Sequence, residues 1–340
     1  MRLVRLTVLG VITLASLATP PLVQTQPAGK VYRIGVLHVG VDHVPPHVDG
    51  LRAGLRDLGY DIDLSPTPRQ STVLEGKNLR LDWRNLLDED AARVAARDFV
   101  RDHVDLIVAV EDQTIRPAMA ATSDIPIVFA SSADPVGDGI VKSLSRPGGN
   151  VTGIGDFWGG LLAKRLELFK EVMPGLRRVL LLTDANDPRT SRLLAEARDA
   201  CAKLKLQSVE REVANPVDID RIFSTLKRGD VDGVTIVSPS LQSPFASLIL
   251  RLAFERWLPV PIQGRNWVGQ GALFSYAPDY IAIGRDAAKY VDRILKGTKP
   301  GDLPVEQASR FEFVINLKTA KTLGLTIPPA ALARADELIQ

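Results

Sequence analysis

Apolar and polar positions follow two alternating periods along most of this chain. Apolar runs recur at 32–38, 104–110 and 125–130, and at 79–83 Leu79, Leu81 and Trp83 alternate with Arg80 and Asp82. Such runs predict strands, the continuous ones buried on both faces. Between them apolar residues return every three or four positions. Val48, Leu51, Leu55 and Leu58 make one helical stripe that Gly59 ends, and 91–100 and 118–122 make two more. This strand–helix rhythm predicts a parallel sheet with right-handed crossovers.

The strand at 127–130 runs into small polar residues, Ser131, Ser132 and Asp134. A short amphipathic segment follows, then Pro147-Gly148-Gly149-Asn150 and a second extended run from Val151. The glycines predict a turn into another lobe. Beyond it the rhythm restarts, with helices at 161–172, 190–204, 219–227 and 245–257 and strands at 178–183, 206–213, 231–237 and 260–263. The remaining segments are a strand at 271–276, a helix at 280–296, a strand at 311–316 and a helix at 318–323.

The expected fold is α/β, with two Rossmann-like lobes built on parallel sheets and joined by three crossover segments. The crossings are expected near 151–155, 273–276 and 311–316. Lobe one is expected to span 29–152 plus about 275–310, and lobe two 153–274 plus about 311–340. Three crossings let two lobes hinge around a ligand.

The N-terminus is set apart. Arg2 and Arg5 precede an uncharged run over 6–18, which Pro20 and Pro21 end. This has the form of a secretory signal over 1–28, with cleavage after Ser16-Leu17-Ala18 or nearer Thr25; an uncleaved anchor is the other reading. The formal charge of the whole chain is +2, and both excess positive charges are Arg2 and Arg5, so the remainder is neutral. Nothing here implies a nucleic-acid partner, which needs a clustered basic surface. Cys201 is the only cysteine. It rules out an intramolecular disulfide and a zinc site of several thiolates, and no cysteine follows the signal to carry a lipid.

Candidate ligand contacts lie just after predicted strands, where open α/β sheets bind ligands. In the first lobe these are Asp42 and His43, then Glu111, Asp112, Gln113 and Thr114, then Ser131 and Ser132. In the second they are Asp184, Asn186, Ser240 and Asn266. Turn chemistry and helix capping explain several of them equally well. Pro117 belongs in a first helical turn, which favours Thr114 as the cap. Trp267 has two readings, stacking on a ligand or packing a hinge. His43 and His47 have a helical metal-ligand spacing, but Pro45-Pro46 between them breaks the helix it needs.

Enzyme signatures are missing. Gly153-Ile-Gly155 opens like a dinucleotide fingerprint, but Trp158 stands where the third glycine belongs. No Walker-type loop and no Gly-x-Ser-x-Gly elbow occurs. The expectation is a non-enzymatic protein that needs no cofactor and no metal.

The run Asp134-Pro-Val-Gly-Asp-Gly-Ile-Val-Lys-Ser-Leu-Ser-Arg-Pro-Gly-Gly-Asn-Val-Thr-Gly153 resembles ABC-transporter substrate-binding proteins of the tryptophan/tyrosine-type family. So do Lys164-Arg-Leu-Glu-Leu-Phe-Lys-Glu-Val-Met-Pro-Gly175 and the tail from Phe311-Glu-Phe-Val-Ile-Asn316 to Pro329. The resemblance spans nearly all of 31–338. It implies a type I periplasmic-binding fold, capture of a small polar solute, amino-acid-like or amine-bearing, and delivery to an ABC permease with its ATPase subunit. A periplasmic monomer is expected. The alternatives are a sensor domain acting through a partner receptor and an enzyme on the same fold.

Two departures from the family pattern stand out. A polar, Pro-containing insertion at 61–74 is expected to be a surface loop. After the 104–110 strand the family has a Gly-Thr-Pro-type turn, whose free N–H groups suit a carboxylate. This chain has Glu111-Asp112-Gln113-Thr114. Unit charges ~4 Å apart at an effective dielectric of ~20 interact by about 4 kcal/mol, enough to change the class of ligand.

Overall fold

The structure is a computed structural model that describes residues 30–40, 45–64, 70–156 and 158–340. The expected signal at 1–28 and the residues Asp42 and His43 lie outside them. Contacts group 31–340 into one compact unit.

The first half alternates as its periodicity requires. In chain order it forms β1 (Tyr32–Val39), α1 (Pro46–Asp57), β2 (Thr72–Glu75), β3 (Leu79–Leu86), α2 (Glu89–Arg101), β4 (Leu106–Val110), α3 (Asp112–Ala121), β5 (Ile127–Ala130) and β6 (Val151–Gly155). The second half forms α4 (Trp158–Val172), β7 (Arg178–Asp184), α5 (Thr190–Lys203), β8 (Gln207–Val213), α6 (Pro216–Thr225), β9 (Gly233–Ile236), α7 (Gln242–Glu255), β10 (Pro261–Ile262), α8 (Arg265–Val268) and β11 (Phe274–Pro278). The remainder is α9 (Tyr280–Leu295), β12 (Glu306–Gln307), β13 (Phe311–Asn316), α10 (Leu317–Thr322), α11 (Pro329–Leu332) and β14 (Glu337–Ile339).

Three sheets result among the described residues. The first has seven strands in the order β12-β6-β5-β4-β1-β3-β2, all parallel except the β2–β3 pair. The second runs β10-β11-β13-β14 with β11 and β13 antiparallel, and the third is the parallel β8-β7-β9. Chain order reverses at β1: β3 lies on one side, β4 to β6 on the other. That reversal and the carboxyl ends beside it are where such sheets open a crevice.

The chain passes between sheet systems after Gly155, between Pro278 and Tyr280, and between Gln307 and Phe311. The strand β11 pairs with β13, so it belongs with the later sheets throughout its length. The helix α9 returns to the first sheet and packs on α1 through glycine. A Cβ on Gly284 would lie 2.1 Å from the His47 carbonyl oxygen, and one on Gly50 would lie 2.1 Å from that of Ile281. Buried Ile283, Ala287, Ala288 and Val291 fill this seam against Val48, Leu51 and Leu55.

Two local expectations are corrected. The segment expected as a surface loop at 61–74 contributes β2, which pairs with β3 as an edge strand while Leu74 packs on the core. Its short alternation Thr72-Val73-Leu74-Glu75 was masked by the polar residues before it. The region 136–146, expected to be a short amphipathic segment, is a series of turns in which Asp134 Oδ1 accepts from the Gly137 N–H at 2.9 Å.

Candidate functional site

Three neighbouring strands of the first sheet end together, and each delivers polar residues to the same edge. Glu111 to Gln113 follow β4, Ser131 and Ser132 follow β5, and Asp156 follows β6. From the other side come Arg189 just before α5, Ser240 just before α7 and Gln242 at its start, and Gln263 after β10. Tyr280, the first residue of α9, completes the lining. The cavity so enclosed measures roughly 190 Å³, the scale of a small metabolite rather than a polymer.

The backbone is strained on the first-sheet side. Glu111 has φ 68° and ψ 161°, and Ser131 has φ 83°. Each costs a side-chain-bearing residue about 1–3 kcal/mol, and such strain concentrates at functional sites. Neighbouring strands hold both turns. The Glu111 N–H donates to the Ala130 carbonyl at 3.2 Å, the Ser131 N–H to that of Ile154 at 2.9 Å, and the Asp156 N–H to that of Ser132 at 3.0 Å.

The lining is rich in acid. Burial, with help from Asp156 and Asp112, pushes Glu111 up to about 8. Burial and then Asp112 push Asp156 up to about 6, while Ser131 and Gln263 partly oppose the rise. Asp112 is engaged differently. Arg189 donates to it at 3.0 Å while also holding Asp187 through two bonds, at 3.0 and 3.2 Å.

A second network backs Asp156. Buried Arg165 on α4 donates through Nη1 to Gln263 Oε1 at 2.9 Å, and burial lowers its guanidinium to about 10. The Gln263 amide donates to Tyr280 Oη at 2.5 Å and reaches Asp156 Oδ2 at 3.4 Å. Burial, then the Asp156 charge, keeps the Tyr280 hydroxyl protonated. Among the described residues, Asp156 Oδ1, Asp112 Oδ1 and Ser132 Oγ are buried without a hydrogen-bond partner. Buried polar atoms left this way are expected where a ligand supplies the partner.

Glu111, Asp112, Gln113, Ser131, Ser132 and Ser240 all line the cavity. Thr114 does not. It is buried, and its hydroxyl donates back to the Val110 carbonyl at 2.8 Å. Nor is it the helix cap, because α3 begins at Asp112 with Glu111 at the cap position and Pro117 inside the helix. Asp184 and Asn186 stand outside the lining. Asp184 accepts from the Asn186 N–H at 2.8 Å and from the Ser240 hydroxyl at 2.5 Å, so it shapes a turn and orients Ser240. Asn266 is exposed on α8, and Trp267 packs against the core beneath it.

Sequence reasoning missed Asp156, Arg189, Gln242, Gln263 and Tyr280. Asp156 carried a usable signal, an acid directly after a buried strand. The others sit at helix starts or after a two-residue strand, where sequence offers no such mark.

A family model described as ABC transporter substrate binding protein matches residues 36–339. A tyrosine-binding protein of Clostridioides difficile strain R20291 is 29% identical over 301 residues, which cover 87% of this chain and 82% of that protein. Among solved structures, a conserved domain protein of Vibrio cholerae O1 biovar El Tor is 30% identical with a TM-score of 0.77. It is covered over its whole length by 91% of this chain. A domain from Streptococcus pneumoniae in complex with L-Trp is 26% identical, again with a TM-score of 0.77 and coverage of 91% of this chain and 100% of its own. More distant solute-binding proteins share the fold alone.

Proposed function

The chain belongs to the ABC transporter substrate-binding protein family, and from that premise we propose that it captures a small amine-bearing, amino-acid-like solute for an importer. The solute enters the cavity at the strand ends, and closure of the two sheet systems on it presents a surface to a permease driven by its ATPase subunit. The apolar N-terminal run exports the protein, which works as a periplasmic monomer and releases its solute without chemical change.

One observation carries the choice of solute. Glu111 and Asp156 line the same cavity, and among the described residues Glu111 has no ion pair. An ammonium group supplies the missing positive charge, and charge-assisted hydrogen bonds to two carboxylates orient it. A simple anion would meet repulsion from the same groups. The relatives that bind tyrosine and L-Trp support an amino-acid-like solute.

Mass spectrometry of solute released from the purified, unfolded protein tests this directly. A compound with a basic nitrogen is expected. A simple carboxylate anion or an uncharged sugar as the native solute sinks the proposal, and product formed from bound solute sinks the claim of transport without turnover.

A further inference from the structure

The first-sheet side of the cavity brings two acids together with unequal support. Asp156 follows β6 and has Gln263 and, behind it, the Arg165 guanidinium within its network. Glu111 follows β4 and has neither. The cations facing this corner are Arg165 from α4 and Arg189 from the approach to α5. Arg189 is committed to Asp187 and Asp112, with Asp138 3.6 Å away from it. The remaining titratable neighbour is the Tyr280 phenol from α9, whose ring lies 4.5 Å from that of His47 on α1. No positive charge is left for Glu111 among the described residues.

Resting on the amine-bearing reading above, we propose that Glu111 and Asp156 form a cation-exchange subsite. In the ligand-free protein the pair holds one proton, and the ammonium of an arriving solute takes its place. The O–H bond of the carboxyl breaks, the proton leaves to solvent, and the carboxylate pair faces one ammonium instead of one proton. Charge in the cavity is conserved through the exchange. The proton resides on Glu111 because Asp156 alone is backed by Gln263 and Arg165. The shifts to about 8 for Glu111 and about 6 for Asp156 agree with that order.

The exchange sets a direction for affinity. Below the Glu111 titration the solute must displace a proton, so binding weakens as the medium acidifies. Linkage gives about a tenfold loss for each pH unit between roughly 8 and 6 when one proton is released. Uncharged isosteres have no ammonium to exchange and show no such dependence.

The test uses the full-length protein after solute has been stripped and the chain refolded. Carboxyl ¹³C NMR follows the free protein, with assignment by Glu111→Gln and Asp156→Asn. Calorimetry then measures binding of tyramine and tryptamine as amine probes, and of 3-(4-hydroxyphenyl)propionate as a carboxylate-only probe, in buffers of different ionisation enthalpy. We expect a carboxyl that titrates near 8 and is missing in Glu111→Gln, and about one proton released per amine bound at pH 7. In Glu111→Gln the amine affinity should be weak and flat with pH.

A Glu111 carboxyl titrating in the ordinary range overturns the exchange, as does amine binding without proton release in the unmodified protein. The second result needs no variant and leaves the amine-binding reading standing. Preference for the carboxylate-only probe removes that reading, and the exchange with it.

Discussion

Arg189 Nη1 lies 3.0 Å from Asp112 Oδ2, so a guanidinium from the later half of the fold grips the first turn of α3. Arg192, one helical turn further along the same segment, lies 3.0 Å from Asp134 Oδ2. Both pairs join the α5 segment to the first-sheet side, the inner one at the cavity, and exist only when the two sides are close.

Removing the inner pair should therefore loosen the closed state. Asp112→Asn is expected to weaken solute affinity about tenfold, the equivalent of about 1.4 kcal/mol. It should also raise the radius of gyration of the ligand-free protein in small-angle X-ray scattering. Arg192→Ala, whose side chain is half exposed, should change affinity less than threefold, as is usual for a pair near solvent. Equal effects of the two variants would contradict the assignment of Asp112–Arg189 as the principal tie.

The carboxyl of Glu111 makes a prediction about stability. Its folded-state pKa is raised to about 8, above the unfolded value. Between the unfolded value and about 8 the folded protein binds more protons, so stability falls as pH rises through that window. Glu111→Gln abolishes the penalty. In ligand-free protein it should stabilise by about 4 kcal/mol at pH 8 and leave stability near pH 4 unchanged. Thermal unfolding at the two pH values measures the difference, and an equal gain at both would show that ionisation is not the cause.

Most strands and helices were legible because their periods are physical requirements. Buried strands such as Leu106–Val110 must be apolar on both faces, and α9 must keep one apolar stripe toward α1. Illegible were β2, β12 and β14, whose two to four residues are too few to show a period. The site was half legible for a related reason. Glu111 and Ser131 announce themselves by following strands, but Arg165 reads as an ordinary helix charge until the fold buries it. Thr114 misled because its hydroxyl suits a cap, whereas the backbone at Glu111 turns one step earlier than a side-chain cap requires.

Arg165 itself should be costly to remove. Arg165→Met leaves Gln263 Oε1 without its donor and takes a positive charge from behind Asp156. A loss of about 3 kcal/mol in denaturant unfolding is expected, typical for breaking a buried polar network. The Asp156 carboxyl should titrate higher than in the parent protein. A well-tolerated Arg165→Met would mean that Gln263 holds its position without help.

The α1–α9 seam offers a test that involves no charge. Gly284→Ala and Gly50→Ala each place a methyl against a backbone oxygen, so the helices must separate. Each should destabilise by more than about 2 kcal/mol, beyond the usual effect of a surface helix substitution. Because α9 begins with Tyr280, the same variants should also weaken solute binding. Retained affinity would show that Tyr280 is positioned from β11 instead.

The three passages of the chain between sheet systems have a consequence for synthesis. The first sheet does not receive its edge strand until Glu306–Gln307, nor the cover of α9 until 280–295, in a chain of 340 residues. Neither side of the cavity is therefore encoded by one continuous stretch, and a nascent chain lacking its last fifth cannot complete either. Commitment to the native state is deferred to the end of translation.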